Sequence, residues 1–225
     1  EKDFDLRESL LLAFTETLYK VSKLNSYEVR PTGSRFKLRR ATMWREPRYS
    51  IPPDFSEENV LLRFDASFAK VCELKEQSNL EIGDYYREAR EPDEFVANKE
   101  KTVIFLARDA RKIDKIFGKY KDIVDMVFTD PPYGDAIQYF ELCTFWTSWL
   151  TQDQDWKERY WKQACEDTDW SKNEIIKNDV QGKNLEDFGR DLAQAFRSVD
   201  QITRSKAVWV VTYHKREPKY WTALS

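Results

Sequence analysis

The stretch VDMVFTDPPYG, residues 124–134, decides the reading of this chain. Val124–Thr129 is a short continuous apolar run, the pattern of a β-strand covered on both faces. It stops at Asp130-Pro131-Pro132-Tyr133-Gly134. Two prolines remove two backbone donors and fix φ, and the residue before a proline is held extended. The predicted result is a stiff shelf bearing a carboxylate, bare carbonyl oxygens and an aromatic ring. In open α/β sheets ligands bind beyond the carboxyl ends of the strands, which is where this shelf would stand.

Outward from the shelf, Thr102–Ala107 (TVIFLA) and Ala207–Tyr213 (AVWVVTY) read as two further buried strands. Helical spacing runs through Ala110–Phe117, Ala136–Leu150 and Asn184–Thr203. Strand and helix in alternation predict a parallel sheet with helices on both faces. Two amphipathic helices, Asp5–Leu24 and Asn59–Gln77, precede this region. Between them Arg30–Pro53 is rich in Pro, Gly and Ser and strongly basic, and it reads as a long loop. Arg30, Arg35, Lys37, Arg39, Arg40, Arg45 and Arg48 face only Glu46 there, with Phe36, Trp44 and Tyr49 interleaved. A turn is expected at Ile82-Gly83-Asp84. Trp156–Gly182 is polar and carries Trp156, Trp161 and Trp170. The expected organisation is a helical region, 1–100, with a basic loop at 30–53. An α/β region, 101–225, follows, with an insertion at 151–183.

The 225 residues are 34% charged and 15% aromatic, a mixture suited to a globular protein. The net charge of -3 does not announce a nucleic-acid binder, so that case must rest on local charge. Cys72, Cys143 and Cys165 form no CxxC pair, which argues against a zinc ribbon or disulfide framework and for a reducing, cytoplasmic setting. No apolar run approaches the roughly 20 residues needed to span a bilayer, so no membrane partner is expected. The start, Glu1-Lys2-Asp3-Phe4, carries neither a signal pattern nor an initiator methionine, and the chain reads as a piece of a longer protein. A single histidine, His214, leaves little room for Ser-His or Cys-His nucleophiles, and no metal site is expected.

The groups on the shelf suit an amine attached to a flat ring. The Asp130 carboxylate and the Pro131 carbonyl can each accept one N–H of an exocyclic NH2. That grip would hold the nitrogen nearer tetrahedral and free its lone pair for an incoming methyl. Tyr133 can stack on the base, an interaction worth about 1–3 kcal/mol. A base in a duplex would first be flipped out, at a cost of about a few kcal/mol.

The stretch VDMVFTDPPYGDAIQYFELCTFW resembles the catalytic motif of DPPY-type amino-methyltransferases, more narrowly a bacterial and archaeal group of adenine-specific DNA methylases. LLLAFTETLYKVSKLNSY, the pattern W-x-x-P-R-Y-S-I-P and AVWVVTYHK are similar to stretches flanking the motif in that group. The resemblance implies a Rossmann-like methyltransferase fold, S-adenosylmethionine as methyl donor, DNA as substrate and a place in restriction-modification. It implies that Asp130, Pro131, Pro132 and Tyr133 hold the target amine and base. FLARDARKI resembles the preceding family strand, which places Asp109 and Ala110, with Asp130, beside the cofactor; Arg108 stands where the family has glycine. The family's Phe-x-Gly-x-Gly cofactor loop has no counterpart among the six glycines. The resemblance puts that loop before Glu1. The sheet is then expected to be incomplete, the missing cofactor-binding part of the same protein is an expected partner, and the fragment alone is expected to bind S-adenosylmethionine weakly.

Arg35, Lys37, Arg39, Arg40, Trp44 and Arg45 are the expected DNA contacts, arginine being the residue that handles phosphate well. Asp109 has an ordinary alternative as a helix cap. Cytosine-amino methylation, RNA or protein-glutamine methylation, and a non-catalytic nucleic-acid-binding module with a degenerate methyltransferase fold stand as rival functions. A role for His214, and for the tryptophans in target recognition, is left open.

Overall fold

A computed structural model describes residues 2–22, 27–32, 35–40, 57–83, 86–98, 101–166 and 169–224. It divides into two compact units, Glu1–Tyr85 with Phe145–Leu150, and Tyr86–Thr144 with Thr151–Ser225. The division thus falls at Tyr85, short of the expected boundary at residue 100.

In the first unit α1 (Lys2–Val21) packs on α2 (Val60–Glu81). Asn59 caps α2 by accepting from the Leu62 amide. The buried stripe is small rather than large: Ser9, Ala13 and Thr17 on α1, Ser67 and Val71 on α2. Residues four apart lie on one helix face, so each set forms a single line. Ser9 and Thr17 donate to carbonyls of their own helix at 2.6 and 2.7 Å, so burying their hydroxyls costs little. The apolar periodicity of α2 therefore overstates its burial, with Leu61 74% and Leu74 52% exposed. Trp146 Nε1 donates to Thr15 O at 3.3 Å, and Trp149 meets Phe14 edge-on at 6.0 Å.

The basic stretch is not simply a loop. β1 (Tyr27–Thr32) and β2 (Arg35–Arg40) form an antiparallel hairpin with six paired positions, from Tyr27↔Arg40 to Thr32↔Arg35. The cause is visible in sequence. Val29, Pro31, Phe36 and Leu38 alternate with charged or polar residues at the period of a strand, around a Gly33-Ser34 break. Trp44 and Arg45, with all of 41–56, lie outside the described residues. So does Asp84 of the expected turn, where Gly83 takes a positive φ of 51°.

In the second unit β3 (Arg87–Glu88) pairs in parallel with β4 (Thr102–Val103), with α3 (Pro92–Ala97) between them. The run TVIFLA was expected as a full strand beside Val124–Thr129. Only its first two residues pair, in a ladder of their own, and Phe105 is 65% exposed. A 3-10 turn at Ala110–Lys112 leads into α4 (Ile113–Ile116). β5 (Val124–Thr129) follows, then α5 (Tyr139–Leu150). The expected insertion holds α6 (Gln154–Trp156), a π-helical turn Lys157–Trp161, α7 (Lys162–Glu166) and α8 (Trp170–Asn173). The chain continues through α9 (Leu185–Asp200), β6 (Thr203–Val211) and α10 (Pro218–Leu224).

β5 and β6 are parallel and directly paired. Their register runs from Met126↔Val208 to Thr129↔Val211 after an irregularity near Val124. α9 opens on a capping box between Asn184 and Asp187 and buries Phe188, Leu192, Ala195 and Ser198. Phe188 and Leu192 form a core with Tyr220 of α10, each apolar side chain contributing about 2 kcal/mol by its burial. Phe196 meets Trp209 of β6 at 5.7 Å, so α9 covers one face of the strand pair. On the other face Met126, Phe128 and Val208 are each more than half exposed. Cover on both faces, as the apolar runs predicted, is therefore met on one. The described residues make an α/β structure, mostly helical, with short parallel strand pairs. None of its described helices is long and apolar enough to cross a membrane.

Candidate active site

The shelf stands where the sequence puts it, at the carboxyl end of a parallel strand. The β5–β6 ladder is extended by Thr212 N, which donates to Thr129 O at 2.9 Å, immediately before Asp130. Asp130 is exposed while Pro131 is buried, so the backbone is anchored and the carboxylate is presented. Tyr133 Oη donates to Asp130 Oδ1 at 2.5 Å. That bond to a carboxylate pushes the Tyr133 phenol above its ordinary value. Among the described residues no ion pair reaches Asp130.

The ring of Tyr133 is held edge-on by Tyr213 at 5.5 Å, and Tyr213 in turn by Trp221 at 5.1 Å. Gly134 takes a φ of +68°, a conformation glycine adopts without penalty. A Cβ there would stand 2.2 Å from Cε1 of Tyr220. The ring of Tyr220 therefore closes directly over the backbone that ends the shelf. Asp135 is held by Lys215 Nζ at 2.6 Å and more loosely by Lys177 at 4.0 Å. Burial would raise the Asp135 carboxyl, but the Lys215 bond outweighs it and the group sits below the usual range. Burial, then the Asp135 charge, pushes the Tyr220 phenol well up, although its enclosed hydroxyl reaches no partner at hydrogen-bond geometry.

A clamp from the expected insertion completes the site, and sequence reasoning missed it. Glu174 Oε1 accepts from Phe140 N at 3.0 Å, supplying a cap to the first turn of α5 from a distant part of the chain. Lys177 N donates to Gly134 O at 3.1 Å, and Asn178 Nδ2 donates to Gln138 Oε1 at 2.7 Å. Three consecutive stretches of the post-shelf segment are thus pinned by residues 174–178, with Ile176 and Asn178 buried. Burial pushes the Glu174 carboxyl up, partly opposed by the amides of Phe140 and Tyr139. Burial also raises the Tyr139 phenol; its bond to the Tyr133 backbone opposes that, while the charges of Asp130 and Glu174 add to it. A polar, tryptophan-studded composition gave no sign of this clamp, because its bonds use backbone and amide groups that any sequence carries.

Asp109 lies elsewhere in chemical terms. Its carboxylate accepts from Arg111 N at 3.0 Å, Nε at 2.9 Å and Nη2 at 2.8 Å, and the residue is 6% exposed. It caps the 3-10 turn, the ordinary alternative that the sequence left open. Arg111 continues to Asp191 of α9 at 3.2 Å and to Asn173 O at 2.8 Å. Burial would raise Asp109, but its Arg111 bonds prevail and hold it low. Ala110 is exposed on the same turn. Asp109 and Asp130 share no bond or ion pair, and the strands leading to them belong to different ladders.

His214 is exposed. Trp156 packs on Tyr160 at 5.9 Å, and Trp170 Nε1 donates back to Ala164 O, so both tryptophans make local contacts. Burial raises the thiols of Cys143 and Cys165, away from the thiolate a nucleophile needs. A hollow of about 430 Å³ is lined by Lys157, Glu158, Trp161, Lys162 and Cys165, all from one helical segment, and shares no residue with the shelf. Among the described residues no group of three or more His, Cys, Asp or Glu could hold a metal ion.

Comparison with known proteins finds no matching family model, no matching curated protein and no matching solved structure.

Proposed function

We propose that the Asp130–Tyr133 shelf grips the exocyclic amine of a flipped base in DNA, adenine foremost, in a methyltransferase that uses S-adenosylmethionine. One observation carries the reading. An exposed carboxylate stands at the carboxyl end of a parallel strand, on a backbone anchored by buried Pro131 and closed by Tyr220 over Gly134. An internal salt bridge on Asp130 would have defeated it, and its one partner is a neutral phenol. Asp130 accepts one N–H of the amine and the Pro131 carbonyl accepts the other. Tyr133, steadied by Tyr213, offers its ring to the base. Fixing the amine in this way supplies catalysis by positioning. The Rossmann-like arrangement implied by the resemblance belongs to this proposal and rests on the same parallel strand pair.

The methyl donor is the part these residues fit least. Asp109 does not suit it as a contact, since its carboxylate is buried and taken up by Arg111. That mismatch, with the absence of any Gly-x-Gly in the sequence, favours one second reading: a nucleic-acid-binding module on a degenerate methyltransferase fold.

Nucleoside mass analysis of DNA incubated with the protein and isotope-labelled S-adenosylmethionine separates the readings. Label in N6-methyladenine is the expected result. Label in N4-methylcytosine moves the substrate to cytosine, and DNA binding without label supports the binding module.

A further inference from the structure

We infer that the β1–β2 hairpin is a two-sided ribbon whose cationic face binds duplex DNA, with Arg39 on that face and Arg40 on the other. The nucleic-acid part rests on the function proposed above; the assignment of faces rests on register alone. Successive residues of a strand alternate between faces, and directly paired residues share one. The observed register therefore puts positions 28, 30, 32, 35, 37 and 39 on one side of the ribbon, and 27, 29, 31, 36, 38 and 40 on the other.

The first set is Glu28, Arg30, Thr32, Arg35, Lys37 and Arg39, the second Tyr27, Val29, Pro31, Phe36, Leu38 and Arg40. Four cations stand against one anion on one side, and five of the six positions on the other are apolar or aromatic. Burying unpaired charge is far costlier than burying apolar groups, so the apolar side is the one for packing and the cationic side the one for a ligand. The chain as a whole has a net charge of -3, which makes this local excess of positive charge a contrast within the molecule.

The same sorting selects the ligand. Phe36 is interleaved with cations along the sequence but belongs to the opposite side, as does Tyr27. A platform for single strands needs rings and cations together on one surface. A flat cationic ribbon with alternate charges about 7 Å apart along the strand suits paired phosphates instead. The major groove of B-form DNA, about 12 Å wide, admits a two-stranded ribbon, whereas that of an RNA duplex is deep and narrow.

Duplex binding by the full chain, measured without S-adenosylmethionine from 50 to 200 mM salt, tests the inference. Each phosphate contact adds about 0.9 to the slope of log K against log salt, so each accounts for about 3.5-fold in affinity over that range. Arg39→Ala is expected to flatten the slope by about that much and Arg39→Lys to restore it. Arg40→Ala is expected to leave the slope unchanged. Equal effects of the two alanine variants, a preference for oligo-dT over duplex, or equal binding of duplex RNA would each overturn the inference. A chain that binds duplex with the expected slope but transfers no methyl sinks the methyltransferase reading alone. One that methylates DNA with its slope untouched by Arg39→Ala sinks the ribbon alone.

Discussion

Two aspartates follow strand segments in the second unit, and their fates differ. Asp109, beyond β4, is buried and gripped through three Arg111 nitrogens. Asp130, at the end of β5, is exposed and bonded to one phenol. What comes two residues later decides this. Arg111 can turn back onto Asp109, and its backbone N–H is available to a capping carboxylate. Pro132 has neither a charge nor an N–H, so nothing next to Asp130 can satisfy it locally. An aspartate at a strand end is thus structural or presentable according to its immediate neighbours.

Three substitutions would break or sharpen that contrast. Asp130→Ala should lower methyl transfer by about a thousandfold, the scale of losing a principal polar contact at a reacting centre. Its thermal stability should stay within about 0.5 kcal/mol, as for an exposed residue. Retained transfer would remove the shelf from the chemistry. Arg111→Met should cost about 3 kcal/mol in denaturant unfolding, because it strands a buried Asp109 charge. Adding Asp109→Asn should recover much of that loss, and simple additivity of the two would show that the pair is not coupled. Gly134→Ala should cost about 2 kcal/mol, since its new methyl meets the Tyr220 ring. A neutral result by thermal unfolding would mean that Tyr220 can step aside and does not fix the shelf.

Much of this was legible in the sequence because it is local. The strand before the shelf, the stiffness of Pro131-Pro132 and the patterned face of α9 follow from periods and backbone restrictions. The pairing of TVIFLA was not legible, since an apolar run announces a wish for burial and not the identity of its neighbour. The hairpin was hidden for a different reason. Its period of two is present in Val29, Pro31, Phe36 and Leu38, but the density of arginine invited a reading as loop. The Glu174–Asn178 clamp and the closure of Tyr220 over Gly134 are long-range, and no local pattern encodes which distant amide a carboxylate will cap.

The Tyr220 closure has a consequence for biosynthesis. Gly134 leaves the ribosome long before Tyr220 does, and the clamp residues emerge between them. During those seconds the diproline segment has neither its lid nor its staples. Ordering the shelf requires closing a large loop, so it belongs to a late stage of folding, after α9 has gathered its own core. The nascent polypeptide therefore carries its reactive-looking carboxylate on an unformed tip, and competence arrives as one of the last events of maturation.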